Sequence, residues 1–143
     1  MDSFVIDASV GVKWFFNEES SKQARNLIQR FERKEIKLIV PEFFYAELAN
    51  VFRRRVRQKE IGIKSALEAF DALIAYSFDR YSDHELSDVA LENALRLGIS
   101  IYDALYIALA EIYVSPLITA DEVLTRACRT RFDFILPLSE LKN

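Results

Sequence analysis

Four acidic residues occupy positions where an acid is costly unless something answers its charge: Asp7 in "VIDAS", Glu47 in "PEFFYAELANVF", Asp103 in "ISIYDALYIALA" and Asp121 in "LITAD". Two follow short apolar runs that read as strands. One lies at the edge of a helix's apolar stripe, and one heads a helix that is otherwise almost wholly apolar. Carboxylates brought into one cleft repel each other unless protons or cations offset the charge. Hard divalent cations suit this donor set, because Mg²⁺ and Mn²⁺ take oxygen ligands and are held by a few carboxylates, water and substrate phosphate. The chemistry such a cluster supports is phosphodiester hydrolysis by metal-generated hydroxide, with no Ser or Cys nucleophile required.

Each acid also has a simpler use. Asp103, three residues after Ser100, has the form of a capping box, and an acid in the first turn suits the helix dipole. Asp7 and Asp121 stand where turn and N-cap aspartates are common. Glu47 projects between Phe43 and Val51 beside the stripe of Phe44, Leu48 and Phe52, where a pair with Arg54 would satisfy it. These uses treat the acids one at a time, whereas a shared site accounts for all four.

The elements that must position them follow from periodicity. Strands are expected at Phe4 to Ile6, Leu38 to Val40, Leu117 to Thr119 and Phe134 to Leu136, with a weak one at Phe78 to Tyr81. Helices are expected near Ser20 to Arg33, Glu42 to Gln58, Lys64 to Tyr76, Asp83 to Leu97, Ile101 to Tyr113 and Glu122 to Arg129, with a short helical piece at Val10 to Phe15. Pro41 is expected to open the second long helix, Ser82 and Glu85 to form a capping box, and Gly98 to take a helix C′ position. Alternating short strands and helices indicate an α/β fold around a mainly parallel sheet of four to five short strands. With 51% hydrophobic residues, three glycines, three prolines and no biased segment, residues 1–143 read as a single domain. Sites in such sheets form outside the carboxyl ends of the strands, which selects Asp7 and Asp121.

Composition removes other classes. The single Cys128 allows no intramolecular disulfide and no zinc site of the usual Cys/His kind, so a reducing, cytoplasmic setting is expected. The start "MDSFVIDASV" has no basic region of a signal peptide, and Asp103, Glu111 and Pro116 break the most apolar window, so no membrane span is expected. A net charge of −3 gives no general attraction to nucleic acid. The basic run "RRRVRQK", Arg53 to Lys59, serves either as a local phosphate contact or as a solvated helix end. His84, without a nucleophile, reads as a surface or capping residue. Trp14, Phe15, Phe16, Tyr102 and Tyr106 read as core or dimer contacts.

Taken in order, "VIDAS", "PEFFYAELANVF", "ISIYDALYIALA" and "LITAD" resemble the PIN-domain family, and in particular its short VapC-type ribonuclease toxins, over essentially the whole chain. The resemblance implies a PIN-like α/β/α sandwich and an endoribonuclease dependent on Mg²⁺ or Mn²⁺. It implies a homodimer inhibited by a small antitoxin whose C-terminal segment occupies the groove leading to the acids. The family's acidic site falls on Asp7, Glu47, Asp103 and Asp121, with Ser9 and Thr119 at the accompanying hydroxyl positions and Asn50 on the same side of its helix as Glu47. On this reading Asp7 and Asp103 hold the main metal, Glu47 and Asp121 complete its shell, and Lys13, Arg53, Arg54 and Arg57 contact RNA phosphates. A PIN nuclease of RNA processing, or an idle PIN module that binds RNA or protein, would carry the same residues. A receiver-like Mg²⁺-binding signalling domain fits less well, because the first strand ends in one Asp rather than an acidic pair and "FILPL" lacks a following lysine.

Overall fold

A computed structural model describes residues 1–142. The chain runs β1 (Asp2–Ile6), α1 (Ala8–Gly11), a 3-10 turn (Val12–Trp14), α2 (Ser21–Glu32), β2 (Ile36–Pro41), α3 (Phe43–Arg57), α4 (Ile63–Ala75) and β3 (Asp79–Tyr81). It continues with α5 (Asp83–Leu97), α6 (Ile101–Ile112), β4 (Leu117–Thr119), α7 (Glu122–Cys128), β5 (Ile135–Pro137) and a closing 3-10 turn (Leu138–Glu140). All five strands are parallel, in the order β3-β2-β1-β4-β5. The expected sheet is therefore complete, including its weak third strand.

Strand order reverses between β1 and β4, whose neighbouring pairs are Val5 with Leu117 and Ile6 with Ile118. At such a reversal the following connections leave in opposite directions and open a crevice at the carboxyl ends. Asp7 directly follows β1, and Thr119 closes β4, so both flank that crevice. Central strands covered on both faces need continuous apolar runs, and Val5, Ile6, Leu38, Val40, Leu117 and Ile118 are fully buried. Helix α6 is buried from Ala104 through Ala110 and packs on β1, β2 and β4. A tight turn joins α6 to β4, so the helix runs antiparallel to that strand and its N-terminus, with Asp103, lies at the carboxyl end of the sheet.

Local differences from expectation have plain causes. Pro41 does not open a helix but ends β2, in register with Tyr81 of β3. The end of a strand tolerates a residue without an N–H, and the Glu42 N–H supplies the next bond, to the Tyr81 carbonyl. Ser82 caps α5 through the His84 N–H instead of that of Glu85. Gly98 terminates α5 in the left-handed conformation, φ 67°, where it avoids the Cβ penalty. Among the described residues no helix is long and apolar enough to cross a membrane.

Candidate active site

Asp7 is the most enclosed of the four acids, 5% exposed in the crevice between β1 and β4. Its two oxygens accept from different hydroxyls, Ser9 Oγ at Oδ1 and Thr119 Oγ1 at Oδ2. Each hydroxyl is itself fixed by an amide of the β4–α7 turn: the Ala120 N–H donates to Ser9 Oγ at 2.8 Å and the Asp121 N–H to Thr119 Oγ1 at 3.0 Å. The two hydroxyls thus face Asp7 with their protons, and the carboxylate orientation is set by residues 110 positions apart in sequence, Ser9 on α1 and Thr119 on β4.

Asp121 caps α7 by accepting at Oδ1 from the Val123 and Leu124 N–H groups. Its structural use is real, but Oδ2 accepts no hydrogen bond among the described residues. Asp103 behaves differently from a capping-box acid. Ser100 Oγ accepts from the Asp103 N–H at 3.1 Å, while the reciprocal bond from the Ser100 N–H to the Asp103 carboxylate does not form among the described residues. The helix is capped by the serine hydroxyl, which also opposes the rise of the Asp103 carboxyl. Glu47 makes no ion pair with Arg54. Its Oε1 accepts instead from the Tyr106 hydroxyl at 2.6 Å, across from α6 to α3.

The electrostatics tie the acids together. Burial drives the Asp7 carboxyl up to about 7; the Ser9 and Thr119 hydrogen bonds only partly resist it, and the charges of Glu47 and Asp121 push the same way. Glu47 is also raised, first by desolvation, against the Tyr106 bond, and further by Asp103 and Asp121; Arg54 pulls back weakly from a distance. Asp103 is raised by desolvation and by Asp121. None of the four acids belongs to an ion pair among the described residues. A set of oxygen donors that repel each other and lack any cationic partner has the chemistry of a hard-cation site. Among the described residues no three His, Cys, Asp or Glu side chains close on one point as a chelating group.

Comparison with known proteins places the chain as a whole. The PIN domain family model matches residues 4–130. This chain belongs to the PIN-domain family. Ribonuclease VapC1 of Mycobacterium tuberculosis is 34% identical to it over 127 residues, 89% of this chain and 92% of the relative. The crystal structure of PAE2754 from Pyrobaculum aerophilum superposes with a TM-score of 0.71 at 21% identity, over 96% of this chain and 84% of that one. A toxin–antitoxin complex from Klebsiella pneumoniae does so with 0.62 at 14% identity, over 96% and 98%. Both structures share the α/β/α architecture.

Around the acids of this PIN domain lie two clefts. One, about 450 Å³, is lined by Ser9, Glu47, Asn50 and Arg54; the other, about 490 Å³, reaches the site through Thr119 and Ala120 and carries Lys13, Arg126 and Arg129. The expected basic residues divide between surfaces. Arg54 and Asn50 share the first cleft with Glu47, although the Asn50 amide oxygen accepts from Arg53 at 3.1 Å. Arg53 and Arg57 turn instead toward an apolar groove between α3 and α4, lined also by Phe52, Val56, Leu67 and Phe70. Lys13 is only 12% exposed and pairs with Glu18 at 3.5 Å. Helical rotation explains the split, since arginines at consecutive positions cannot share a face. Tyr106, read from the sequence as a core or dimer contact, is buried in the core and donates to Glu47. Its signal was the spacing Asp103-x-x-Tyr106, which puts both on one side of α6.

Proposed function

We infer that this PIN domain is an endoribonuclease that depends on a divalent cation, Mg²⁺ or Mn²⁺, and serves as the toxin of a toxin–antitoxin pair. The observation that carries the reading is the set of four mutually repelling, unpaired acids at the strand-order reversal of the sheet. Ribonuclease similarity over 89% of the chain supports the substrate class. The described toxin–antitoxin assembly of the Klebsiella pneumoniae neighbour supports a small protein inhibitor as partner.

Asp7 and Asp103 would hold the cation, with Glu47 and Asp121 completing the set directly or through water. When bound, a divalent cation supplies an activated water and neutralises charge on the phosphodiester. The rest is done by side chains of this chain. Ser9 and Thr119 keep Asp7 in one orientation by donating to both of its oxygens. Asp121, immobilised as the α7 cap, offers a fixed carboxylate at the mouth of the crevice. Arg54, in the cleft with Glu47, is placed to neutralise an RNA phosphate beside the acids, so that a chain of net charge −3 binds a polyanion locally. A homodimer belongs to this reading through the family resemblance.

The test compares the wild type with Asp103→Asn on labelled RNA in the presence of Mn²⁺. Since Ser100 caps α6 through a backbone N–H, the variant should keep its thermal midpoint. Cleavage should fall by more than about 100-fold, the upper end of what loss of a mere outer-shell partner costs. A well-folded variant that cleaves at the wild-type rate removes Asp103 from the site.

A further inference from the structure

We propose that Tyr106 is a positioning residue for Glu47, holding that carboxylate at the cation site through its phenol O–H; the proposal rests on the metal-dependent reading above. Tyr106 is 1% exposed, and a phenol buried so completely needs a partner for its hydroxyl. The partner is Glu47 Oε1 at 2.6 Å, on a different helix and 59 residues away. The bond ties α6 to α3, the helix that carries Glu47.

The alternatives for Glu47 are absent. It has no ion pair, and its second oxygen, Oε2, accepts no hydrogen bond among the described residues. A glutamate on a helix has more rotamer freedom than an aspartate on a strand end, so it needs an external restraint that Asp7 obtains from Ser9 and Thr119. Tyr106 supplies that restraint from a side chain itself locked in the core. Because only Oε1 is engaged, Oε2 stays available to a cation or its water. Asp103 and Tyr106 leave the same side of α6 three residues apart, so one helix delivers an acid to the cleft and the restraint for a second acid beneath it.

The decisive variant is Tyr106→Phe, which removes one oxygen and keeps the ring. Mn²⁺ binding is measured by calorimetry without RNA, together with the metal-free thermal midpoint. The expected result is a folded protein whose Mn²⁺ affinity falls about 10- to 100-fold, as for loss of an outer-shell partner, with the half-saturating Mn²⁺ for cleavage rising in parallel. In a Glu47→Gln background the same substitution should have little further effect on affinity, which a general packing role would not predict. Unchanged Mn²⁺ affinity in folded Tyr106→Phe overturns the proposal while leaving the metal-dependent reading intact. An equal loss of affinity in the Glu47→Gln background, or collapse of the metal-free fold, also overturns it by assigning Tyr106 to structure. Absence of Mn²⁺ binding by the wild type defeats the functional reading itself.

Discussion

At the scale of residues, the cost of the site falls chiefly on Asp7. Its carboxyl is raised from 3.8 to about 7 in the folded protein, so between those values the native state holds a proton that the unfolded chain has released. The native state then binds more protons, and stability without metal must fall as pH rises across that window, reaching its lower level above pH 7. A rise of this size corresponds to roughly 4 kcal/mol at most. Glu47 and Asp103 are shifted in the same direction and add to the slope. Asp7→Asn should flatten the profile and make the metal-free protein more stable than wild type at pH 8, by about 0.5–2 kcal/mol, while abolishing Mn²⁺-dependent cleavage. Urea denaturation at pH 5 and pH 8 checks it; an unaltered pH slope would show that Asp7 is not the group responsible. The four acids were legible in the sequence because acids beside apolar runs stand out. Ser9 and Thr119 were legible only through the family resemblance, the Thr119 bond to Asp7 crossing 112 positions, and the restraint on Glu47 was not legible, because Tyr106 has the burial and spacing of an ordinary core residue.

Elements convert these residues into a site by where they begin and how closely they approach. Helix boundaries were readable to within a residue or two wherever a serine, an aspartate or Gly98 marks an end, as at α5, α6 and α7. Pro41 misled because strand ends and helix starts both accept proline, and sequence alone does not say which neighbour strand will pair with it. The distance between α1 and α3 was not readable either, since it depends on Gly11. A Cβ there would lie 2.8 Å from Leu48 Cδ1 and 3.1 Å from Phe44 Cζ, both fully buried on α3. Gly11 is helical, so its smallness serves close approach rather than an unusual backbone angle. Those two contacts flank Glu47 in sequence. Gly11→Ala should therefore cost about 1–3 kcal/mol by overpacking and lower cleavage well below its melting temperature by displacing α3. Gly62→Ala, with open space at the same distance, should stay within about 0.5 kcal/mol of wild type. Equal effects in denaturation and cleavage assays would disprove the role given to the α1–α3 contact.

For the molecule as a whole, the fold and the charge distribution oppose one another. The sheet order and α6 concentrate four acids at one end of an apolar core, while the nearest cationic side chain, Arg54, acts on Glu47 only from a distance. Nothing in the net charge of −3 reveals this, because the arginines and lysines are spent elsewhere: Arg55 pairs with Glu18 and Glu60, and Arg129 with Glu140. The folded chain without metal thus carries unrelieved repulsion that the unfolded chain, with its acids dispersed, does not. A ligand that binds only the folded state stabilises it in proportion to the logarithm of its concentration over Kd, about 2.7 kcal/mol at one hundred times Kd. For a chain of this length that corresponds to a rise in thermal midpoint of roughly 5–10 °C. Mn²⁺ at pH 8 should produce this rise in the wild type, whereas sodium chloride at matched ionic strength should produce much less, because screening acts weakly on buried charges. The rise should shrink in Asp103→Asn, which loses one carboxylate but keeps the Ser100 cap. An unchanged wild-type midpoint at saturating Mn²⁺, or an equal rise with sodium chloride, would mean that the four acids share a location without sharing a cation.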